Sequence, residues 1–322
     1  MRVRYCVMIE GQEGVRWTDW LALARTCESL GYEGLFTSDH YYSVAGARDR
    51  GSNDAWAVIA GLATVTERIR LGTLVSPVTF RLPAVLAKNA VTVDHISGGR
   101  VELGMGAGWW TEEHRTHGFP FPPTIERFER LAEQLEIVHG LFSEEELTFE
   151  GAHYALEGCR FSPKPVQEPH LPIIIGGGGG PRMAQLVAKW ADEFNTYHAM
   201  PSEIRSRYEG VRRVVEKSGR DPASVTTSLM QTLLVGSDEA DFRERARRLA
   251  SQDPDFSEGG DLDAYLAELD GSGAILGSPE RAAARLSEFA EAGVERIMLQ
   301  HLLHDDLEML EIVAREVLPK VG

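Results

Sequence analysis

The chain has 322 residues, of which 43% are hydrophobic and 25% are charged, and these proportions are typical of a globular protein. Its formal net charge of -16 argues against nucleic acid as a partner, because neutralising phosphates requires a basic surface. No apolar run reaches the roughly 20 residues that span a bilayer, and the first ten residues lack the pattern of a signal peptide, so we expect a cytoplasmic protein without a membrane partner.

Short apolar strands alternate with amphipathic helices along the first half of the chain. The predicted strands are residues 3–9, 34–37, 69–75 and 100–104. The predicted helices are residues 17–30, 54–65, 83–95 and 126–141, and Gly31 ends the first while Pro83 begins the third. Each strand leads to a helix, which is typical of a parallel β/α protein.

The alternation pauses at residues 142–169, where proline and glycine are frequent, and we predict an insertion with a hairpin near residues 149–156. The pattern then resumes with predicted strands at 172–175, 193–197, 225–235 and 296–300. The predicted helices of this half are 182–191, 203–218, 238–250, 279–292 and 305–317. Residues 251–277 are acidic and rich in glycine, and we predict a loop or lid there.

Eight strands alternating with helices favour an α/β fold, a (β/α)8 TIM barrel that forms a single domain over residues 1–322 with insertions near 142–170 and 251–277. The alternative, a doubly wound open sheet, usually carries a GxGxxG loop after its first strand. Here that strand is followed by EGQEG at residues 10–14, which lacks this spacing. In barrels of this kind, function lies on the loops that follow the carboxyl ends of the strands.

Polar and glycine-rich stretches follow the second and fourth predicted strands. After the second come Asp39, His40 and two tyrosines, which can hydrogen-bond a polar ring and exchange protons with it. The alternative interpretation is that Asp39 caps the next turn and that His40 packs in the core. After the fourth strand, glycines at positions 104, 106 and 108 would let a ligand lie against the backbone, and the tryptophans at 109 and 110 would wall an apolar slot.

Five consecutive glycines, Gly176–Gly180, follow the fifth predicted strand and lead through Pro181 and Arg182 into a helix. Free backbone N–H groups and the positive end of a helix together make a phosphate site, to which Arg182 could add a charge. The alternative interpretation is a flexible linker.

Several other polar residues are less informative. Four of them end other strands and could face a substrate, although periodicity does not decide this: Glu10, His198, Gln300 and His301. Histidines at 114 and 117, and at 301 and 304, have the HxxH spacing of some metal sites, but no further ligands converge on them, so we expect no metal. The cysteines at 6, 27 and 159 are unclustered, which indicates free thiols, and the first two are predicted to be buried.

Three longer stretches carry a family resemblance: IRLGTLVSPVTFR at residues 69–81, PAVLAK at 83–88 and DHISGGRVELGMGAGWW at 94–110. Shorter matches are SDH at 38–40, ERF at 126–128 and PIIIGGG at 172–178. Together they resemble the luciferase-like superfamily and, more narrowly, the F420-dependent oxidoreductases of actinobacterial type. The resemblance is close over residues 3–195 and looser beyond them.

The resemblance implies an enzyme that transfers a hydride between the deazaflavin F420 and a small organic substrate. It favours F420 over FMN, although FMN-dependent relatives share the same motifs. Two alternatives stay open, an FMN-dependent luciferase-like monooxygenase and a non-catalytic flavin-binding barrel, whereas the glycine clusters disfavour a cofactor-free lyase or hydrolase. A homodimer is compatible with the resemblance.

The family match also implies roles for individual residues. His40 takes the catalytic proton role and Asp39, beside the deazaflavin ring, orients it. A non-proline cis peptide between Leu74 and Val75 is expected to back the ring. The further cofactor-binding positions are Thr73, Ser76, Gly106, Ala107, Gly108, Trp109, Gly176, Gly177, Gly178 and Gly179.

The chain departs from the F420-dependent glucose-6-phosphate dehydrogenases at two positions. Trp109 stands where those enzymes carry a catalytic glutamate, and Val44 stands where they carry a tryptophan. A sugar phosphate is therefore not the expected substrate, and His40 lacks its usual partner in the sequence.

Overall fold

The computed structural model describes residues 3–45, 50–253, 256 and 260–321. The elements up to the first insertion are β1 Arg4–Ile9, α1 Trp17–Leu30, β2 Gly34–Thr37, α2 Ala55–Ala63, β3 Arg70–Thr73, β4 Ser76–Pro77, α3 Pro83–Ser97 and β5 Val101–Gly106. They are followed by α4 Thr111–His117, α5 Thr124–Ser143, β6 Leu147–Glu150 and β7 Ala155–Cys159. The antiparallel pair β6–β7 is the predicted hairpin.

The second half of the chain continues the same alternation. Its elements are β8 Ile173–Gly176, α6 Pro181–Trp190, β9 Glu193–Tyr197, α7 Pro201–Lys217, β10 Thr226–Val235, α8 Glu239–Ala250, α9 Leu262–Gly271, β11 Ile275–Gly277, α10 Pro279–Glu291, β12 Arg296–His301 and α11 Leu307–Ile312. The last helix runs on as a π-helical segment, Val313–Val317.

The predicted (β/α)8 barrel is confirmed by the strand pairing. Parallel pairs connect the strands in the order β12, β1, β2, β3, β5, β8, β9 and β10, and β10 pairs with β12 to close the ring. The short β4 continues the third strand along β5, and β11 extends the edge of β10 beyond β9. All barrel strands therefore end at the same mouth, where functional loops lie in this fold.

The helices pack on the outside of the barrel through apolar stripes. Helix α1 shows the pattern: its buried residues are spaced at helical intervals, and Gly31 ends it in the left-handed region with φ 80°. Six side chains fill the inside of the barrel: Cys6, Met8, Phe36, Leu74, Ile174 and Met298. Cys6 and Cys27 are buried and free, as predicted.

A buried charge cluster closes the barrel at the end opposite the mouth. Arg296, the first residue of β12, lies 2.6 Å from Glu102 and 2.9 Å from Glu193. Its guanidinium holds the pKa of Glu102 well below the usual range, although burial opposes this. The cluster occupies the lower end of the barrel, away from the mouth.

The prediction of a loop or lid over residues 251–277 is wrong in part. This segment contains helix α9 and strand β11. The helix packs on the core through apolar residues at i, i+3, i+4 and i+7, a periodicity hidden among acidic residues: Leu262, Tyr265, Leu266 and Leu269. Residues 254–255 and 257–259 of the predicted loop lie outside the described part of the chain.

Two further differences concern the site. The third strand stops at Thr73, before the predicted end at residue 75, and resumes as β4 after an irregular step. Helix α4 follows the two tryptophans and was not predicted, because all seven of its residues are polar. Within the described ranges, no helix is long and apolar enough to cross a membrane.

Candidate active site

Asp39 ties the end of β2 to the third strand of the barrel. Its side chain is only 2% exposed, and Oδ2 accepts hydrogen bonds from Ser76 Oγ and Arg81 Nη1, both at 2.5 Å. Burial raises the pKa of Asp39, and the adjacent Arg81 charge offsets this only in part. The structure thus gives Asp39 partners other than the ring of His40, which we expected it to orient.

Arg81 joins two carboxylates at one side of the mouth. Its second nitrogen, Nη2, donates to Asp54 Oδ2 and to the hydroxyl oxygen of Tyr41, both at 2.8 Å. The Tyr41 hydroxyl in turn donates to Asp54 at 2.7 Å. The positive charge of Arg81 is therefore already compensated before any ligand arrives.

His40 has a carboxylate partner that the sequence did not reveal. Nδ1 of His40 lies 2.8 Å from Glu113 Oε2, and the other oxygen of Glu113 accepts the backbone N–H of Tyr41 at 2.5 Å. Glu113 is 1% exposed. A carboxylate here can only accept unless it is protonated, so Nδ1 carries the hydrogen and Nε2 is left for a ligand.

The pKa of His40 is raised by this arrangement. Burial alone would lower it, but the hydrogen bond and charge of Glu113 outweigh that effect, and Glu10 adds to it. Glu113 therefore favours the protonated imidazole and fixes the orientation of the ring. Gly118, which ends α4 in the left-handed region, and the acidic first turn were sequence signals for this helix, but neither indicates which of its acids faces the site.

Two tryptophans border His40. The rings of Trp109 and Trp110 are nearly parallel, with an interplanar angle of 15° and centroids 5.9 Å apart. Each ring meets the imidazole of His40 edge-on, with ring-centroid distances of 5.9 Å for Trp109 and 6.2 Å for Trp110. Trp109 is 60% exposed. A large indole face that is exposed beside a titratable ring offers an apolar wall for a planar ligand.

The predicted cis peptide between Leu74 and Val75 is present. The side chain of Val75 lies over glycines of the two neighbouring strands. A Cβ atom on Gly106 would come within 2.6 Å of Val75 Cγ2, and one on Gly176 within 2.8 Å of Val75 Cγ1. These two glycines make room for Val75, which together with Leu74 forms the floor of the mouth.

The later glycines face open space instead. A Cβ atom on Gly178 or Gly180 would meet nothing within 4 Å, while Gly179 adopts a left-handed conformation with φ 76°. Helix α6 begins directly afterwards, and Arg182 in its first turn is exposed. The residues present fit an anionic group such as a phosphate, because glycines in open space lead directly into a helix N-terminus whose first turn carries a cation.

Three further sequence candidates form a hydrogen-bonded group that runs across the mouth from β1 through β12 to β9. Gln300 Nε2 donates to Glu10 Oε1 at 2.6 Å, and Gln300 Oε1 lies 3.1 Å from His198 Nε2. His301 is not part of this group, because alternate residues of a strand face opposite sides and Gln300 faces the mouth. His301 is fully buried, and burial lowers its pKa to about 4.

The HxxH histidines do not assemble a metal site. His114 Nδ1 donates to the Trp110 carbonyl and Nε2 accepts from Thr79 Oγ1, both at 2.6 Å, so both ring nitrogens are used. Burial lowers the pKa of His114. Across the described ranges, no group of three or more histidine, cysteine or acidic side chains is arranged to hold a metal ion.

Comparison with known proteins gives one family match. The model of a family described as luciferase-like monooxygenase matches residues 1–296. An uncharacterized protein of Mycobacterium tuberculosis is 33% identical over 190 residues, which are 54% of this chain and 66% of the relative, just under two thirds of its length. An F420-dependent glucose-6-phosphate dehydrogenase of Amycolatopsis mediterranei is 26% identical over 331 residues, with 94% of each chain covered. A pyrimidine monooxygenase of Allorhizobium ampelinum is 27% identical over 274 residues, with 76% and 73% covered.

Solved structures with the same fold include a dehydrogenase and a monooxygenase. An F420-dependent secondary alcohol dehydrogenase bound to an F420–acetone adduct superposes with a TM-score of 0.82 at 21% identity, over 100% of both chains. A monooxygenase of Streptomyces bottropensis superposes with a TM-score of 0.84 at 19% identity, over 99% and 100%. At these identities the superpositions establish the fold alone.

Proposed function

The chain belongs to the luciferase-like monooxygenase family, and from this premise we propose that it is an F420-dependent oxidoreductase acting on a small organic substrate. The observation that carries the proposal is the His40–Glu113 pair. Hydride exchange at a carbon bound to oxygen or nitrogen requires a proton to move at the heteroatom, and a group with a pKa near neutral does this best. His40 has a fixed orientation and a free Nε2, and Glu113 raises the pKa of its imidazole.

The mouth offers one place for each part of the cofactor. Val75 and Leu74 would lie beneath the ring, and Trp109 and Trp110 would border it. Gly178 to Gly180 and Arg182 would hold the phosphate-containing tail at the start of α6. The chemistry that F420 supplies when bound is hydride transfer at its ring carbon.

The protein's own residues supply positioning and proton transfer. His40 Nε2 would donate a proton to, or accept one from, the substrate heteroatom, and Glu113 stabilises the charged imidazolium. With a ligand bound against them, the tryptophans would exclude water from this side, which would strengthen the electrostatic interaction between His40 and the reacting group. Asp39 and Arg81 keep the floor attached to β2.

We propose F420 rather than FMN because the relative named as F420-dependent matches over 94% of both chains, whereas the pyrimidine monooxygenase matches over 76% and 73%. The second candidate function is an FMN-dependent monooxygenase, favoured by that same pyrimidine monooxygenase and by the Streptomyces neighbour.

Two assays on the full chain separate these functions. In one, F420-loaded protein is mixed with a panel of secondary alcohols, and loss of the visible absorbance of F420 is followed. In the other, FMN-loaded protein is given a reductant and the same panel, and substrate-dependent oxygen consumption is followed. Activity in the first assay supports the proposal, activity only in the second supports a monooxygenase, and retention of a chromophore without activity in either supports a binding barrel.

A further inference from the structure

His198 is the residue at the mouth whose backbone is least expected. It follows β9 directly and has φ 33°, the one left-handed non-glycine residue in the described ranges. Its N–H donates to the Met230 carbonyl at 3.2 Å, so the conformation is held by the neighbouring strand. Residues kept in this region cost free energy and cluster at ligand sites, which makes His198 a candidate for one.

The hydrogen bonds around His198 determine which ring nitrogen carries its hydrogen. Gln300 donates through Nε2 to Glu10, so its Oε1 must be the atom that faces His198. That oxygen also accepts from the Thr232 hydroxyl at 2.8 Å. Because a carbonyl oxygen only accepts, His198 Nε2 must donate, and Nδ1 is left as a bare acceptor at the exposed surface of the mouth.

His198 and His40 have opposite protonation tendencies. Desolvation by the neighbouring residues lowers the pKa of His198. The hydrogen bond to Gln300 and the charge of Glu10 offset this only in part. The pKa of His40 is raised, despite burial, by Glu113 and Glu10. Two groups of one site whose environments separate their pKa values in this way commonly take different roles.

The two histidines also lie on opposite sides of the ring of strands. His40 follows β2 and His198 follows β9, and four steps separate these strands in either direction around the eight-stranded barrel. Glu10, at the end of β1, raises the pKa of both, so it is within electrostatic reach of each. A molecule bound over the floor would therefore lie between the two imidazoles.

We propose that His198 is a substrate-binding residue whose Nδ1 accepts a hydrogen bond from a hydroxyl or amino group of the substrate, across the mouth from the reacting carbon at His40. This inference rests on the proposed function, since it concerns the substrate of the same site. It assigns the substrate class: a small molecule with a second hydrogen-bond donor besides the group that is oxidised or reduced.

The charges at the mouth favour a neutral or cationic donor over an anion. Among the described residues, Glu10 accepts hydrogen bonds from the side-chain amides of Gln12 and Gln300, and no cationic side chain forms an ion pair with it. Arg81 is paired with Asp39 and Asp54, as described above. Arg50 is likewise paired, with Glu13 at 2.5 Å. Arg207, whose Nη1 donates to the Tyr197 carbonyl beside His198, is paired with Glu203. An anionic group at His198 would therefore face the charge of Glu10, while these cations are already paired with carboxylates.

The first test needs no substrate. The full chain labelled with ¹⁵N-histidine is studied by NMR, and the His198 ring signals are assigned by their loss in His198→Asn. Asparagine is chosen because it tolerates a left-handed backbone. We expect a neutral ring at pH 7 with the hydrogen on Nε2 and a bare Nδ1. A charged ring, or hydrogen on Nδ1, would overturn the inference.

The second test uses three matched probes, butan-2-ol, butane-2,3-diol and 3-hydroxybutanoate, titrated into the labelled protein with and without F420. We expect the diol to bind about tenfold more tightly than butan-2-ol, because one added hydrogen bond to a neutral acceptor is worth roughly this factor. The carboxylate should bind most weakly. In His198→Asn the ratio of the affinities for the diol and for butan-2-ol should fall towards one. His95→Asn, on the outer helix α3, is the control and should keep the ratio of about tenfold.

The outcomes separate this inference from the proposed function. Equal binding of butan-2-ol and the diol, tightest binding of the carboxylate, or no response of the His198 signals to any probe would overturn the role of His198 while leaving F420 binding to be judged by its own titration. If F420 fails to bind but the diol preference depends on His198, the cofactor assignment is wrong and the binding role of His198 stands.

Discussion

Glu113 Oε2 lies 2.8 Å from Nδ1 of His40, although the two residues are 73 positions apart in the chain. The contact depends on α4, a seven-residue helix that turns a buried carboxylate towards the loop after β2. Trp109 stands where the resemblance led us to expect a carboxylate, and Glu113 supplies one from a different position.

Replacing Glu113 by glutamine should lower the pKa of His40 and reduce turnover by about 10². General acid–base help is worth roughly 10² to 10⁴ in rate, and here the imidazole itself is kept while its counter-charge is lost. NMR titration of His40 and steady-state turnover measure the two effects. Glu112→Gln is the matched control, since the same change one residue earlier on α4 does not remove a hydrogen bond from His40. Similar effects of the two variants would contradict the role of Glu113.

The same pair should make stability depend on pH. The folded pKa of His40 is raised above its ordinary 6.5, so its stabilising contribution is complete below about pH 6.5 and is lost as the pH rises through the folded value. The difference in free energy of unfolding between the wild type and Glu113→Gln should therefore decrease as the pH rises from about 6.5 through the folded pKa of His40. Denaturant unfolding at a series of pH values measures this, and a difference that grows with pH would have the wrong sign.

His40→Ala should lower turnover by about 10² to 10⁴ while the affinity for F420 falls less. The contacts proposed for the phosphate-containing tail, at Gly178 to Gly180 and Arg182, are untouched by this change. Turnover, cofactor affinity and melting temperature are measured on the same preparation. A stably folded variant with wild-type turnover would end the assignment of a proton role to His40.

Asp39→Asn should act mainly on stability. It removes one charge of a buried pair with Arg81, and breaking such a pair costs about 3 kcal/mol, although Asp54 limits the loss by keeping a charge on Arg81. Chemical denaturation measures this cost, and the pKa of His40 should move less than in Glu113→Gln. A larger shift of that pKa in Asp39→Asn would restore Asp39 as the residue that orients the imidazole.

Two glycine variants distinguish a cofactor contact from a packing contact. Gly178→Ala adds a methyl group in open space, so the fold should keep its stability while affinity for F420 or inorganic phosphate falls. Gly106→Ala would place the methyl group 2.6 Å from Val75 and should lower the melting temperature. Loss of stability in the first variant, or a fully stable second variant, would contradict this division.

Much of the fold was predictable because its signals are local. Helix α1 has the predicted bounds, since an apolar stripe and a terminal glycine define it, and strands β2 and β9 also match. Helix α9 was missed although its apolar residues have helical spacing, because glycine and acidic residues around it suggested a loop. Helix α4 carries no apolar stripe and is positioned by tertiary contacts.

Only those site residues that directly follow a strand could be predicted from the sequence. The rule that function follows the strands located Asp39, His40 and the glycine loop. Which carboxylate contacts His40 could not be predicted, since Asp39 is adjacent in sequence but its oxygen is occupied by Ser76 and Arg81. Likewise, Gly106 and Gly178 look alike in sequence, and only the position of Val75 separates a glycine that packs from one that faces open space.

The central claim is that this barrel uses F420, and competitive binding tests it most directly. The full chain is titrated with F420 and with FMN, fluorescence quenching gives each affinity, and the mass of the chromophore retained after gel filtration of a mixture identifies the preferred one. We predict tighter binding and selective retention of F420, with affinity reduced in Arg182→Ala. Micromolar or tighter FMN binding without detectable F420 binding would contradict the account.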